Sequence, residues 1–161
     1  MLVGPRQCGK STLARAIAAE GPSTFFDLED PSVEAALAQP MTALRDLRGL
    51  VVLDEAQRQP NIFPTLRVLA DRADSQTRFL LLGSATPSLM RQAAESLAGR
   101  VEILEMRGFD LGEVGVANAN ALWLRGGFPR SYLAESDEAR DRKSTRLNSS
   151  HSSVSRMPSS A

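Results

Sequence analysis

Eight residues near the amino terminus, Gly4-Pro5-Arg6-Gln7-Cys8-Gly9-Lys10-Ser11, match the pattern Gly-x4-Gly-Lys-Ser/Thr at every defined position. The pattern constrains the fold because it works only between a strand and the first turn of a helix. Met1-Leu2-Val3 precede it, and Leu13, Ala14, Ile17 and Ala18 follow at helical spacing until Gly21-Pro22. Glycines let backbone N–H groups turn inward without obstruction, and a helix amino terminus aims a positive dipole at whatever anion sits there. Such a cradle suits a nucleoside triphosphate. Lys10 is placed for the β and γ phosphates and the Ser11 hydroxyl for Mg²⁺, so Gly4, Pro5, Arg6, Gln7, Cys8, Gly9, Lys10, Ser11 and Thr12 are the expected nucleotide contacts. Cys8 sits where a dipole and a lysine favour a thiolate, but a small residue filling space is the reading we adopt.

Beyond the loop, short apolar runs alternate with segments of period near 3.6: Phe25-Phe26, Leu50 to Leu53, Phe79 to Leu82 and Val101 to Leu104. Leu50-Val51-Val52-Leu53 and Phe79-Leu80-Leu81-Leu82 contain no polar residue, as expected of central strands in a parallel sheet covered on both faces. Val101-Glu102-Ile103-Leu104 carries a charge and suits a strand nearer the edge. Thr86 with Pro87 predicts a helix start, with Leu89, Met90, Ala93, Ala94 and Leu97 as its apolar face and Gly99 as its end. Asn61 is placed to cap a second helix, whose stripe is Ile62, Phe63, Leu66, Leu69, Ala70 and Ala73. The expected fold is α/β, a three-layer α/β/α P-loop NTPase with a mainly parallel sheet.

The run Leu50 to Leu53 ends in Asp54-Glu55, and ligands of α/β sheets bind at the carboxyl ends of strands. Asp54 would serve the Mg²⁺ ion, while Glu55, one residue on, would orient or deprotonate the attacking water. A further strand, Thr24-Phe25-Phe26-Asp27-Leu28, lies between the loop and the acids in sequence, so the loop strand and the acid strand are not expected to be neighbours. That arrangement points to the catalytic-glutamate class, AAA-like or RecA-like.

Composition narrows the alternatives. Lys+Arg and Asp+Glu number 19 each, so no global field draws in DNA or an anionic membrane, and any DNA contact would be local. Cys8 is the only cysteine, which excludes a disulfide framework and fits the cytoplasm. No apolar run approaches the roughly 18 residues of a spanning helix. The only histidine, His151, lies in a Ser-rich stretch from about Arg142 that is expected to be disordered and resembles a translated sequencing adapter, so histidine-dependent hydrolase chemistry drops out. The first strand, with three residues before Gly4 against a usual length of about 5 or 6, is expected to be clipped.

Taken together, Gly4 to Ser11, Leu53-Asp54-Glu55-Ala56-Gln57, Leu82-Gly83-Ser84 and Leu97-Ala98-Gly99-Arg100 resemble the prokaryotic AAA-like ATPases that carry a C-terminal DUF4143 domain, over roughly residues 1 to 135. Gly126-Gly127-Phe128-Pro129 is similar to the glycine-rich segment that follows their ATPase core. The resemblance implies a core over 1–115, the start of a linker or C-terminal domain over 116–140 and a non-native tail over 141–161. It implies a cytoplasmic ATPase that binds ATP and Mg²⁺ and spends hydrolysis on remodelling or repositioning a partner, as a homo-oligomer in some settings. It also places a γ-phosphate sensor at Ser84. Arg100 is the candidate to reach a phosphate, in its own subunit or in a neighbour's. Arg6 outside the loop role, Arg58 and Arg67 read as solvated or structural. Two other readings compete: a nucleotide-binding switch without turnover, and a helicase-like motor fragment, suggested by Asp54-Glu55-Ala56-Gln57 with Ser84-Ala85-Thr86. The short span from Lys10 to Asp54 and the lack of a basic, aromatic-laced groove weigh against the helicase.

Overall fold

A computed structural model of the chain describes residues 1–72 and 76–134. These residues fall into two compact units, Met1–Arg107 and a second beginning at Gly108. The expectation of a disordered tail from about Arg142, His151 with it, lies outside the described residues, as does Ala73.

The first unit contains β1 (Leu2–Val3), α1 (Lys10–Ala18), β2 (Ser23–Asp27), α2 (Pro31–Ala36), α3 (Pro40–Leu44), β3 (Gly49–Asp54), α4 (Ile62–Ala70), β4 (Thr77–Gly83), α5 (Pro87–Ser96) and β5 (Leu104–Glu105). The strands form one parallel sheet in the order β2-β3-β4-β1-β5. Both unbroken apolar runs are central, as their composition predicts. The loop strand and the acid strand are separated, but the strand between them is β4, which comes later in the chain, whereas β2 takes the outer edge beside β3.

Alternation along each strand decides the layers. Met1, Val3, Val51, Leu53 and Leu81 enter a larger apolar cluster with Ile62, Phe63, Leu66, Leu69, Leu89, Ala93 and Leu97 from the helices. Leu2, Val52 and Leu82 face the other way, onto Ala14 of α1. Helix α1 packs by its small residues: Ala14 is fully buried, whereas Leu13 and Ile17 remain about 40% exposed, contrary to the apolar face expected of them (41% and 40%). Alanines let the helix axis approach the sheet closely and leave the longer side chains beside the contact rather than in it.

Thr86 caps α5 as expected, its hydroxyl accepting from the Leu89 N–H at 3.4 Å, with Pro87 at the first helical position. Asn61 precedes α4 but its side chain caps nothing, because its backbone is already helical (φ −68°, ψ −9°) and cannot turn the amide back onto the first turn. Ala70, at the end of α4, is exposed rather than part of the stripe. Strand β5 begins at Leu104, not Val101. Val101 and Ile103 lean into the larger cluster first, and pairing starts where the Leu104 N–H reaches the Met1 carbonyl at 2.9 Å.

The second unit holds α6 (Leu111–Val114), α7 (Ala119–Arg125) and α8 (Pro129–Tyr132). Asp110 and Glu113 form a reciprocal capping box at α6, each side chain accepting from the other's backbone N–H at 3.0 Å. The glycine-rich segment folds back so that the Phe109 N–H donates to the Gly127 carbonyl at 2.6 Å, and the Phe109 and Tyr132 rings meet edge to face at 5.5 Å.

Candidate active site

Three strands of the first unit deliver the sequence-selected residues to one edge of the sheet. Val3 pairs with Gly83 and Leu53 with Leu81, so the ends of β1, β4 and β3 lie side by side. The loop after β1, Ser84 after β4 and Asp54-Glu55 at the end of β3 therefore share the carboxyl edge, with Ser84's strand in the middle. Adjacent parallel strands lie about 4.8 Å apart, which puts the acids roughly 10 Å from the loop strand, the span of a phosphate group with its metal and a water. Helix α1 crosses over β3 and β4, so its first turn opens toward the same edge.

The loop is built for close backbone approach. A Cβ on Gly4 would lie 2.0 Å from the Met106 carbonyl oxygen, so only glycine fits where the loop leaves β1. Gln7 (φ 66°) and Gly9 (φ 102°) both adopt the left-handed conformation, the kind of backbone from which anion-binding concavities are built. Gly9 is the residue before α1, and no side chain among the described residues caps that helix, which leaves its first N–H groups free of a side-chain partner, as at an anion-binding helix start. Lys10 is 7% exposed, and its ammonium donates to the carbonyls of Gly4 (2.9 Å) and Pro5 (2.8 Å) and approaches Cys8 Sγ at 3.8 Å. No carboxylate pairs with it among the described residues. A buried cation held by carbonyls and a thiol, with no carboxylate to balance it among the described residues, is what a site completed by an anion would present. Cys8 is fully buried, consistent with its reading as space-filling. Pro5, Arg6, Gln7 and Thr12 are exposed, and Ser11 is half-buried at the helix start.

At the end of β3 the backbone changes hand. Asp54 is buried, 8% exposed, and one of its oxygens accepts from the Glu55 N–H at 3.0 Å. Glu55 itself is left-handed (φ 57°, ψ 45°), a conformation that costs a non-glycine residue about 1–2 kcal/mol and clusters at functional sites. This reversal splits the two acids: Asp54 continues the strand's alternation while Glu55 is turned out of it. The Glu55 carboxylate accepts a hydrogen bond from the Gln57 side-chain amide. Gln57 figured in the sequence only as one letter of a motif, and its position two residues after the acid was the available signal for this contact.

Arg100 is not brought to this edge. It lines a cleft with Met1, Thr77 and Glu102, residues at the amino ends of the strands, and its guanidinium pairs with Asp71 at 2.5 Å. That hydrogen bond, with the guanidinium charge behind it, holds the Asp71 carboxyl below its ordinary value and raises Arg100 in turn. Arg100 thus lies toward the opposite ends of the strands from the loop, Ser84 and the acids. Arg58 pairs with Glu29 at 3.0 Å, a surface tether in keeping with its structural reading.

The family model for an AAA domain matches residues 1–115, most of the chain. The chain belongs to the AAA domain family. A nucleotide-binding ATPase core is what that membership supports, and the parallel five-stranded sheet with flanking helices agrees with it. The chain is also 52% identical over 138 residues to uncharacterized proteins of Mycobacterium bovis and Mycobacterium tuberculosis. The match covers 86% of this chain and 31% of each relative, so the chain spans about a third of their length. Among the described residues no helix is long and apolar enough to cross a membrane, and no cluster of three or more His, Cys, Asp or Glu forms a protein-only metal cage. The Ser11 hydroxyl and the buried Asp54 carboxylate are a hard-oxygen pair that fits Mg²⁺, an ion that keeps several waters and shares phosphate oxygens rather than needing an all-protein cage.

Proposed function

We propose that this AAA domain is a Mg²⁺-dependent ATPase. The observation that carries the reading is Lys10, a buried ammonium with carbonyl partners and no carboxylate among the described residues, at the mouth of an uncapped helix. Binding brings the triphosphate onto the N–H groups from Gly9 to Thr12 and draws the Lys10 ammonium from the loop carbonyls to the β and γ phosphates. Ser11 and Asp54 would hold Mg²⁺, which when bound neutralises phosphate charge. Glu55 accepts a proton from water as its oxygen bonds to the γ phosphorus and the bond to the β–γ bridging oxygen breaks, leaving ADP and phosphate. Ser84, between loop and acids, hydrogen-bonds the γ phosphate. Hydrolysis remodels or repositions a partner in the cytoplasm, for which the sequence resemblance suggests a DUF4143-type domain.

Asp54→Asn tests the metal assignment. The amide is a poorer ligand for a hard dication, so half-saturation of ATP binding with Mg²⁺ shifts upward by roughly tenfold while binding without Mg²⁺ stays as in the parent. An unchanged Mg²⁺ titration contradicts the role of Asp54.

Arg100 acts on a neighbouring subunit's nucleotide. Its pair with Asp71 lies at the surface, and surface pairs hold a guanidinium only weakly, so it can leave. Arg100→Ala binds ATP with parental affinity but loses roughly 10³-fold in turnover. Turnover returns in part when it is mixed with a Lys10→Ala chain, which cannot bind ATP but supplies Arg100 to its neighbour. No recovery on mixing contradicts action in trans.

A further inference from the structure

Gln57 stands in an arrangement that neither the core nor the strand edge requires. Its amide is wedged between two parts of the site. On one side the NH₂ group donates to Glu55. On the other, its Oε1 is buried without a hydrogen-bond partner and faces the backbone of β4 one residue before Ser84, where a Cβ on Gly83 would lie 2.8 Å from it and 2.5 Å from Leu89 Cδ2. The orientation of the amide is decided by its neighbour: a carboxylate only accepts, so the NH₂ end must face Glu55 and the oxygen must face β4. Three features that each disfavour folding therefore converge on one contact. Glu55 is left-handed, Gln57 Oε1 has no donor, and position 83 is bare of a side chain. Packing alone would be better served by an apolar residue at 57, since replacing an unsatisfied buried polar group by one of similar shape removes a penalty.

We propose that Gln57 is a positioning residue for the catalytic base: it holds one oxygen of the Glu55 carboxylate so that the other is presented to the attacking water beside the γ phosphate. The inference rests on Glu55 being the base. A carboxylate on a flexible side chain next to a left-handed backbone samples many rotamers, and one donor anchored against β4 removes most of that freedom. Because the Gln57 oxygen lies against Gly83, the residue before Ser84, the group that holds the base sits beside the proposed γ-phosphate sensor.

The full chain is compared with Gln57→Leu, which keeps the side chain's reach and removes the donor, with Gln57→Met as a second replacement, and with both in a Glu55→Gln background. Steady-state ATP hydrolysis, ATP binding and thermal melting are measured for each. Gln57→Leu and Gln57→Met lower kcat by roughly 10- to 100-fold with KM, nucleotide affinity and melting midpoint close to parental, the size expected for a loosened catalytic geometry. In the Glu55→Gln background the same substitutions change the residual rate by less than about twofold, because the group through which Gln57 acts is gone. The proposal is overturned if kcat is undiminished, if KM and affinity shift along with it, or if the fall is equally large with and without Glu55. A parental rate in Glu55→Gln alone overturns the base assignment instead, and is distinguishable because it needs no substitution at 57.

Discussion

Lys10→Ala abolishes ATP binding at concentrations that saturate the parent. The ammonium is the one side-chain cation the loop directs at the β and γ phosphates, and each charge-assisted hydrogen bond it forms there contributes about 1.5–3 kcal/mol. Losing two of them costs roughly 3–6 kcal/mol, or on the order of 10² to 10⁴ in affinity. The unliganded protein reacts differently. Its Lys10 is buried with no carboxylate partner among the described residues, so removing it discards a desolvated charge together with its hydrogen bonds to Gly4, Pro5 and Cys8, and the melting midpoint without nucleotide changes little. The nucleotide-dependent rise in melting temperature, which for the parent at 100 times Kd amounts to about 2.7 kcal/mol, is what disappears. A variant that is equally stabilised by ATP places the triphosphate somewhere other than this loop.

Glu55→Gln separates chemistry from binding. Glutamine keeps the shape of the side chain and an oxygen that still accepts from Gln57, but it cannot take a proton from water. Hydrolysis falls by roughly 10² to 10⁴ while ATP affinity holds, so the variant retains intact ATP through gel filtration where the parent retains ADP. This loss exceeds that expected at Gln57, which acts only through Glu55. Parental turnover in Glu55→Gln contradicts the base assignment, whatever the fate of Lys10.

Local chemistry and periodicity made much of the molecule legible. Glycines at 4 and 9 with Lys10 and Ser11 admit few structures other than a strand-loop-helix cradle, and the uninterrupted runs at 50–53 and 79–82 suit positions buried on both faces. The order of strands was only half legible. Separation of β1 from β3 was foreseeable, but which strand fills the gap depends on a crossover that sequence adjacency favours assigning to β2, while the sheet uses β4. Arg100 follows a helix that starts at the carboxyl edge, beside Ser84, and three turns later ends at the opposite one; a motif read in one dimension carries no such distance. The exposure of Leu13 and Ile17 was missed for a related reason, since periodicity identifies a helix without saying whether its alanines or its larger residues make the contact. Gln57 was hidden because its role lies in one hydrogen bond and one unpaired oxygen, and neither leaves a periodic trace.

The central claim is hydrolysis at the loop formed by Gly4 to Ser11, and a single-turnover measurement tests it most directly. The protein in excess over ATP is mixed with Mg²⁺, and the bound nucleotide and released phosphate are followed together. The account predicts that bound ATP converts to ADP with one phosphate released per ATP, and that neither binding nor conversion occurs in Lys10→Ala. ATP that binds through Lys10 and is recovered unchanged contradicts it and makes this AAA domain a nucleotide-operated switch.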